Sequence, residues 1–304
     1  MVTAIIGGSG TYGHEALKQL YGHSDKIVIY SRDEYKQSIL QETWPEYPDN
    51  IMRYRLGDVR DRERLSLALR GADFVILAAA MKRIEACERD PVEAYKTIVV
   101  GALNTIDACI DNKVKKCLFL STDKSVNPCG IYGSCKNLAE KMIIKANDYG
   151  LTKFSAVRYA NVYGSRGSVI ETWKHKMARG DSISITEPEA TRMFLQLGSA
   201  VKFTLDRLLD MDGQEIFIPP IDFSSSLADM LPTTDFTITG FRCAEKLNEE
   251  LMTEDEERRA YQCDDYHIIY PASPQQRLTK RGIPVNAGTH LKLRSDHGLS
   301  RATA

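Results

Sequence analysis

Short apolar runs alternate with amphipathic stretches along the first half of the chain. Six runs have the length and composition of β-strands: Val2–Ile6, Lys26–Tyr30, Met52–Leu56, Asp73–Ala79, Cys117–Ser121 and Phe154–Arg158. Helical stretches lie between them, among them Asp33–Leu40, Arg62–Leu69, Pro91–Asp111 and Tyr132–Asp148. Strands that alternate with helices at this spacing predict a parallel sheet joined by right-handed crossovers. Most of these strands are apolar throughout, as expected when helices cover both faces of the sheet. The pattern therefore predicts a doubly wound α/β fold.

The alternation of strands and helices ends near Gly164, and the rest of the chain has a mixed pattern. The elements predicted there are a helix at Thr172–Arg179, a strand at Gln214–Pro219 and a long, highly charged helix at Glu245–Tyr261. In that last helix, the acidic run Glu254–Glu257 followed by Arg258 and Arg259 is most simply a solvated helix face. We expect this half of the chain to form a smaller, mixed domain over the carboxyl edge of the sheet, where ligands bind in open α/β folds.

Composition narrows the class of protein without identifying a partner. Among 304 residues, 40 Lys and Arg side chains balance 41 Asp and Glu side chains, so neither a nucleic acid nor an anionic membrane is expected as a partner. The longest apolar run, Phe74–Met81, is too short to cross a bilayer, and no secretion signal is recognisable at the N-terminus. Seven cysteines without a CxxC pair indicate reduced thiols, and six scattered histidines give no metal-ligand spacing. We therefore expect a cytoplasmic protein without a metal site.

The first predicted strand leads directly into a glycine-rich turn with the spacing GxxGxxG. The residues of this turn expected to bind a cofactor are Gly7, Ser9, Gly10, Thr11, Tyr12 and Gly13. In such a loop, one glycine permits a tight turn, one lets backbone N–H groups approach a pyrophosphate, and one lets the helix pack closely on the strand. A flexible turn would also contain glycines. The position between the first strand and the first helix favours a dinucleotide site of the Rossmann type.

The end of the second strand bears on which dinucleotide binds. Ser31 and Arg32 offer a hydroxyl and a guanidinium that suit a ribose 2′-phosphate, which favours NADP. Asp33 and Glu34 follow directly and would instead suit the unphosphorylated ribose of NAD. Asp58, after the third strand, either reaches the adenine amine or simply forms a turn. The other positions expected to line the cofactor are Val59, Ala78, Ala79 and Ala80.

Tyr132 and Lys136 lie four residues apart at the start of a predicted helix, so their side chains share one face. An ammonium beside a phenol stabilises the phenolate and is expected to lower the pKa of Tyr132 towards neutrality. The tyrosine can then take a proton from an alcohol while a hydride leaves the same carbon. A YxxxK spacing also occurs by chance, but its place after the fifth strand of a dinucleotide-binding pattern favours catalysis.

Asp123 and Lys124 are adjacent at the carboxyl end of the fifth predicted strand, where nicotinamide and substrate would meet. An acid and a base side by side suit the elimination of water after an oxidation. A ketone acidifies the neighbouring C–H group, a base removes that proton, and an acid protonates the departing hydroxyl. An Asp–Lys pair in a loop is more often a surface ion pair. The position beside Tyr132 favours the catalytic interpretation.

Motifs throughout the chain resemble the inverting UDP-N-acetylglucosamine 4,6-dehydratases of the extended short-chain dehydrogenase/reductase family. The matching blocks are GGSGTYG, YSRDE, GDVRD, AAAMKRIEACERDPVEAYKT, STDKSVNPCGIYGSCK, VRYANVYGSRGSV, the pair Thr191 and Arg192, GQEIFIPPI and GFRCAEKLNEELMTEDE. The glycine loop is common to a superfamily, whereas the spacing from TDK to the tyrosine and the last block are much narrower. The resemblance implies enzymes that make nucleotide-sugar precursors for flagellin glycosylation and capsules.

The resemblance also implies a role for each catalytic residue. Tyr132 and Lys136 would oxidise the sugar at C4, with Thr122 orienting the 4-hydroxyl. Asp123 would be the acid that expels water from C6, and Lys124 the base at C5. Hydride would return from NADPH to C6, so that no net redox change occurs, and C5 would be reprotonated on the opposite face.

The substrate implied by the resemblance is a UDP-sugar. The residues implied to hold it are Lys82, Asn161, Arg166, Thr191, Arg192, Arg242 and Glu245. Each arginine of this set has a simpler alternative as a surface or interdomain ion pair. Residues 1–165 with about 193–223 are expected to form the NADP-binding domain, and residues 166–192 with 224–304 the sugar-binding domain. The resemblance further implies a homo-oligomer, either a dimer or a hexamer, and the short type of family member without membrane spans.

The chain departs from the family pattern at several positions near the expected site. The family usually has His at Leu77, Asn at Ile98, Pro-Gly at Cys243 and Ala244, and His at Asn248. No departure removes a predicted catalytic group. They leave the substrate and the C5 stereochemistry of the product less defined than the reaction class.

Three other functions share parts of this pattern. A nucleotide-sugar 4-epimerase of the same fold needs Tyr132 and Lys136 but no acid–base pair. A second enzyme would stop halfway and release an unsaturated or 5-epimerised sugar. A catalytically silent dinucleotide sensor would keep the glycine loop but would have no need of the tyrosine, lysine and aspartate.

Overall fold

A computed structural model describes residues 1–45, 50–165, 167–233, 235–272 and 281–297. Its strands are β1 (Val2–Ile6), β2 (Lys26–Ser31), β3 (Met52–Leu56), β4 (Phe74–Leu77), β5 (Lys116–Thr122), β6 (Lys153–Tyr159), β7 (Asn161–Tyr163), β8 (Ile183–Ile185), β9 (Thr191–Gln196), β10 (Ile216–Ile218), β11 (Phe223–Ser226), β12 (Phe236–Ile238), β13 (Ala260–Cys263), β14 (Tyr266–Ile269) and β15 (Ile283–Pro284). Its helices are α1 (Thr11–Leu20), α2 (Glu34–Thr43), α3 (Arg62–Ala68), α4 (Ile84–Arg89), α5 (Pro91–Tyr95), α6 (Gly101–Asp111), α7 (Ile131–Lys145), α8 (Val169–Arg179), α9 (Leu197–Asp210), α10 (Glu254–Glu257) and α11 (Thr289–Lys292).

Within the described residues, ten strands form the central sheet in the order β15-β13-β14-β10-β6-β5-β4-β1-β2-β3. The strands from β10 to β3 in that order are parallel, and β13, β14 and β15 extend the sheet in antiparallel fashion. The chain reverses its direction of winding between β1 and β4, which creates the crevice in which doubly wound folds bind ligands. The predicted doubly wound α/β fold is confirmed.

The sequence explains why the middle strands lie where they do. Strands β1, β2 and β4 are almost wholly buried because their apolar side chains pack against helices on both faces of the sheet. Strand β3 forms an edge, and two exposed arginines, Arg53 and Arg55, protect that edge from pairing with another chain. At the first crossover, a Cβ on Gly13 would lie 1.8 Å from the carbonyl oxygen of Gly8, so α1 can approach β1 only with glycine there.

Smaller sheets form at the carboxyl edge of the large sheet. Strands β11, β9 and β7 make a three-stranded sheet, and β12 and β8 make a two-stranded one, within the described part of the chain. Strands β13, β14 and β15, which the predicted division assigns to the sugar-binding domain, join the large sheet instead. The division into two domains stays a prediction. Of the helices described, none has the length and apolar character needed to cross a bilayer.

The predicted long helix at Glu245–Tyr261 is wrong. Only Glu254–Glu257 is helical in this stretch, and β13 already begins at Ala260. The backbone before it pairs with distant segments: Leu247 accepts from Thr191 N at 2.9 Å, and Leu251 N donates to the Leu293 carbonyl at 3.1 Å. This segment therefore pairs through its backbone with distant parts of the chain and does not form a long helix with a solvated face.

The predicted helix at Pro91–Asp111 is present but interrupted. Between α5 and α6 the backbone forms a π-helical segment, Lys96–Val100. Such π-helical segments within α-helices are frequent at functional sites. Thr97, within this segment, lines a cavity of about 630 Å³ at the carboxyl edge of the large sheet.

One departure from the family pattern, Ala244 in place of glycine, strains the backbone. Ala244 has a backbone φ of 67°, in the left-handed region where a Cβ costs roughly 1–2 kcal/mol. We expect Ala244→Gly to raise the free energy of unfolding by about 1 kcal/mol, because the relief of strain exceeds the added freedom of glycine in the unfolded chain. Urea denaturation at unchanged m-value measures the effect. The matched control is Ala228→Gly in a turn where φ is not positive, which should lose about 0.5–1 kcal/mol. A loss of stability in both variants would contradict the strain argument.

Candidate functional site

A cavity of about 630 Å³ opens at the carboxyl ends of β1, β2, β4 and β5. The predicted site residues that line it are Gly7, Ser9, Gly10, Thr11, Tyr12, Ser31, Arg32, Asp58, Val59, Ala78, Ala79, Ala80, Lys82, Thr122, Asp123, Lys124, Tyr132, Lys136 and Asn161. The structure thus brings together all five predicted catalytic residues and every predicted cofactor residue except Gly13. Gly13 instead packs on the backbone of Gly8, as the helix–strand contact of the loop requires.

The glycine loop has the shape of an anion cradle. Gly7 has a φ of 85°, and a Cβ there would lie 2.7 Å from the backbone N of Ala79. Gly10 is the N-cap of α1, so no side chain caps the helix, and the first turn of α1 carries no acid. The N–H groups and the dipole at such a helix start attract phosphate. These residues fit the pyrophosphate of a dinucleotide.

Cations surround the end of the cavity beyond β2. Arg32 is well exposed and lies 3.8 Å from Asp58. Asp33 caps α2 by accepting from Lys36 N at 3.0 Å and also pairs with Lys36 Nζ at 2.7 Å. The hydrogen bonds from Lys36 lower the pKa of Asp33. The acid that an NAD site would use is therefore engaged by a lysine, and that lysine, which was not predicted, also lines the cavity.

Asp58 is held by its neighbour Arg60. It accepts from the backbone N and Nε of Arg60, both at 3.0 Å, and from Nη2 at 2.7 Å. These hydrogen bonds lower the pKa of Asp58. Asp58 thus forms a turn and also lines the cavity, so the structure does not separate the two predicted roles. Its contact with adenine stays a prediction.

The Asp–Lys pair lies at the centre of a buried polar cluster. Oδ1 of Asp123 accepts from the Thr122 hydroxyl at 2.8 Å, from Lys124 N at 2.9 Å and from Lys124 Nζ at 3.1 Å. Asp123 is 1% exposed, and its Oδ2 has no hydrogen-bond partner among the described residues. Lys124 Nζ also lies 3.4 Å from Oδ1 of Asn161. The pair is not a surface ion pair, because both groups lie within the wall of the cavity.

The environment of Tyr132 differs from the prediction. Burial raises its pKa to about 12, and the cation that opposes this effect is Lys124. Lys136 Nζ donates instead to the Leu120 carbonyl and lies 4.1 Å from the ring centroid of Phe119. Burial lowers the pKa of Lys136 to about 7. The predicted lowering of the tyrosine pKa by Lys136 is therefore wrong for this geometry.

Sequence reasoning missed Glu249, a buried acid on the far side of Lys124. Its carboxylate lies 3.5 Å from Lys124 Nζ and 4.0 Å from Lys246 Nζ, and the residue is 2% exposed. The sequence signal for this residue is the narrow block GFRCAEKLNEELMTEDE, which contains it. The helix predicted there gives no indication that this acid is buried.

The predicted sugar-binding residues divide into three groups. Lys82 and Asn161 line the cavity. Arg192 is buried and pairs with Glu245 at 3.2 Å, and Arg242 pairs with Glu85 at the surface. These two contacts are the ion pairs that the sequence left open as alternatives for the arginines.

The remaining positions of that set lie elsewhere. The Thr191 hydroxyl lies 2.8 Å from Asn248 Oδ1 and 2.6 Å from Ser295 Oγ. Arg166 lies outside the described residues. Leu77 and Ile98, which replace the polar residues of the family pattern, are buried in the hydrophobic core. The roles of all these residues towards a substrate stay predictions.

The part of the chain that the structure describes contains no cluster of three His, Cys, Asp or Glu side chains suited to a metal ion.

Known proteins resemble this chain over most of its length. The profile of a family described as "Polysaccharide biosynthesis protein" matches residues 3–271. A Campylobacter jejuni subsp. jejuni protein (serotype O:23/36, strain 81-176) named UDP-N-acetylglucosamine 4,6-dehydratase (inverting) is 43% identical over 277 residues, covering 88% of this chain and 82% of that protein. A Rickettsia massiliae protein named UDP-glucose 4-epimerase is 33% identical over 280 residues, covering 87% and 81%.

Solved structures share the fold. The X-ray structure of Pen from Bacillus thuringiensis superposes with a TM-score of 0.89 at 33% identity, covering 98% of this chain and 95% of that one. The dTDP-glucose 4,6-dehydratase DesIV from Streptomyces venezuelae, solved with NAD, superposes with a TM-score of 0.75 at 16% identity, covering 81% and 87%. At that identity the second likeness concerns the fold alone.

Proposed function

We propose that this chain, which belongs to the polysaccharide biosynthesis protein family, is a UDP-N-acetylglucosamine 4,6-dehydratase. The Campylobacter relative confirms the family that the sequence motifs indicate. The observation that carries the proposal is the buried contact of 3.1 Å between Asp123 and Lys124 in the same cavity wall as Tyr132. A redox reaction alone needs the tyrosine, whereas the elimination of water also needs an acid and a base.

The cavity residues divide the reaction between them. A dinucleotide held by the glycine loop would supply the hydride acceptor for C4 and the hydride donor for C6. Tyr132, in its phenolate form, takes the proton of the 4-hydroxyl as hydride leaves C4, which makes C4 a ketone and acidifies the proton at C5. Lys124, as the neutral amine, removes the C5 proton, and Asp123, as the carboxylic acid, donates a proton to the hydroxyl that leaves C6. Reprotonation of C5 on the opposite face would give the inverted product.

The preferred cofactor in this proposal is NADP, with NAD as the alternative. Arg32 and Lys36 provide two cations at the ribose end of the cavity, and Asp33 is engaged as a helix cap. A guanidinium suits a phosphate because it donates two parallel hydrogen bonds. The predicted dimer or hexamer remains part of this proposal, and the UDP-sugar is its substrate.

Replacing Arg32 tests the choice of cofactor. We expect Arg32→Ala to raise the Kd of NADP roughly 10- to 100-fold, since hydrogen bonds to a charged group contribute about 1.5–3 kcal/mol. The Kd of NAD should change little, because it has no 2′-phosphate. Calorimetric titration with both dinucleotides measures this, and Arg55→Ala on β3 is the matched control. Equal weakening of both dinucleotides would contradict the proposed contact.

The reaction itself is tested by proton NMR. The purified protein is incubated with UDP-GlcNAc and catalytic NADP in deuterated water. We expect a new C6 methyl signal, deuterium at C5 and no net formation of NADPH, and the coupling at C5 reports inversion. A protein that binds the dinucleotide but yields no C6 methyl signal would overturn the proposal for this substrate.

The alternative function is a nucleotide-sugar 4-epimerase. The observation in its favour is the likeness to the Rickettsia protein of that name. The same NMR experiment separates the two functions, because an epimerase interconverts the C4 epimers and leaves the 6-hydroxyl in place. A sensor without catalysis, the less favoured alternative, would change neither carbon.

A further inference from the structure

We propose that Asn137 is a positioning residue, which holds the turn that carries Asp123 and Lys124 at a fixed distance from Tyr132. The inference rests on the proposed function for the identity of the reaction, and it deepens that function by naming what aligns its two stages. Oxidation acts on C4 of the sugar, and elimination acts on C5 and C6 of the same sugar. The two sets of side chains must therefore keep one separation, since a misplacement of about 1 Å can lower a rate roughly 100-fold.

Helix α7 carries two neighbouring stripes of side chains. Tyr132 lines the cavity from one of them. Gly133, Asn137 and Glu140 form the other stripe, because positions four and three residues apart lie above one another on a helix. This second stripe contacts the short 3-10 turn Asp123–Ser125. One helix thus carries the residue for oxidation and also supports the turn that carries the residues for elimination.

Asn137 makes the hydrogen bond that joins this stripe to the turn. Its Nδ2 donates to the Ser125 carbonyl at 2.7 Å, in a part-buried position. Ser125 is fully buried, and its hydroxyl donates to the Thr122 carbonyl at 2.6 Å. Ser125 Oγ also lies 3.4 Å from Glu140 Oε2. Helix α7 therefore holds the turn through Ser125, and Asn137 makes the shorter of these two contacts.

Gly133 brings the helix and the turn into backbone contact. A Cβ on this residue would lie 2.2 Å from the Lys124 carbonyl oxygen and 3.1 Å from Pro128 Cβ. Glycine within a helix is less favourable than alanine, so this close approach explains why glycine occupies the position. A larger side chain could enter only if the turn moved away from α7. Gly133 thus lets the turn come close, and Asn137 holds it there.

The turn carries both groups of the elimination as one unit. Oδ1 of Asp123 accepts from the Thr122 hydroxyl, from Lys124 N and from Lys124 Nζ. A displacement of the turn would therefore move both side chains relative to C5 and C6 of the sugar. Tyr132 lies on α7 itself and does not move with the turn. Loss of the Asn137 contact should consequently slow elimination much more than oxidation.

The test is Asn137→Leu, which keeps a side chain of similar size but donates no hydrogen bond. Single turnovers with UDP-GlcNAc and NADP are followed by the absorbance of reduced nicotinamide and by formation of the C6 methyl group. We expect methyl formation to slow roughly 10- to 100-fold, while reduction of the nicotinamide stays within about threefold of wild type. The variant should therefore accumulate reduced nicotinamide. A merely structural defect lowers both rates by the same factor, because it only reduces the fraction of active protein.

Ser134→Ala is the matched control, because Ser134 is an exposed residue of the same helix, and it should leave both rates unchanged. Gly133→Ala tests the backbone contact independently. Its methyl group would push the turn away from α7, so it should separate the two rates in the same direction. If Asn137→Leu does not fold, Asn137→Asp takes its place, since it has the shape of asparagine and likewise offers no N–H group. An equal loss of both rates in the Asn137 variant, or a wild-type rate of methyl formation, would overturn the proposed role.

A second measurement does not depend on turnover. Val126 N donates to the Asp123 carbonyl at 3.0 Å and closes the turn. In Asn137→Leu this amide hydrogen should exchange with solvent roughly tenfold faster than in Ser134→Ala, while the amide of Leu118 in β5 exchanges at an unchanged rate. A general loss of stability would instead accelerate both amides.

The exchange experiment separates this inference from the proposed function. Equal exchange of the Val126 amide in the two variants would overturn the anchoring by Asn137, even if the enzyme dehydrates its substrate. Faster exchange in a protein that yields no C6 methyl signal would overturn the proposed function and leave the anchoring of the turn in place.

Discussion

Asp123→Asn is expected to lower kcat by roughly 10²- to 10⁴-fold, the usual contribution of a positioned acid. Asparagine has the shape of aspartate and still offers an oxygen to the Thr122 hydroxyl, but it carries no proton to give to the departing C6 hydroxyl. Oxidation at C4 depends on Tyr132 and is expected to continue. In a single turnover the variant should therefore accumulate reduced nicotinamide, which its near-ultraviolet absorbance reports.

The control for this result is Asp229→Asn, since Asp229 is exposed and its side chain accepts from Ser226 Oγ within the described part of the chain. It should behave as wild type in both kcat and single-turnover absorbance. An Asp123→Asn variant that keeps the wild-type turnover, with the C6 methyl still formed, would remove Asp123 from the elimination step.

The second large effect concerns stability. Arg158→Met is expected to lower the free energy of unfolding by about 3–5 kcal/mol, because it leaves buried carboxylates without their counterion. Arg158 is 1% exposed and donates five hydrogen bonds: two to Glu140, two to Glu256 and one to the Leu251 carbonyl. These contacts join β6, α7 and the segment that leads into α10. Denaturation by urea measures the loss.

Two features make this prediction specific. Arg62 also joins two carboxylates, Asp107 and Asp111, but at the surface, so Arg62→Met should lower the free energy of unfolding by no more than about 1 kcal/mol.

Burial alone raises the pKa of Glu256, but the charge and hydrogen bonds of Arg158 outweigh it and lower the pKa to about 2. The stabilisation is therefore present above the ordinary glutamate pKa and is lost as the pH falls through about 2. A wild type and an Arg158→Met variant of equal stability at neutral pH would contradict this account.

The sequence predicted the first half of the fold well because its strands are buried on both sides. Apolar runs such as Val2–Ile6 are recognisable without knowledge of what covers them, and β1 has the predicted bounds. The short strands β7, β9 and β11 carry no such run. They are strands because they pair with one another, and pairing partners that lie far apart in the chain cannot be read from local periodicity.

The same limit explains the errors in the candidate site. Residues close to the glycine loop and to the YxxxK motif were predicted because their chemistry is local in sequence. Glu249 lies within the predicted long helix, and Glu256 lies in the acidic run that is predicted to be its solvated face, because a charge is usually exposed. Glu249 is buried and Glu256 is partly buried, because the cation of each, Lys124 or Arg158, comes from a segment 125 or 98 residues earlier. The pKa of Tyr132 was also misjudged, since spacing along a helix does not reveal how far burial outweighs a nearby cation.

During translation, Glu249 leaves the ribosome well before Ser295, the residue that anchors its backbone. Among the described residues, those that line the cavity end at Ala200, so the nascent chain contains all of them while that anchor is still being synthesised. The described wall of the cavity is therefore complete in sequence before the buried anchor of Glu249 has been made.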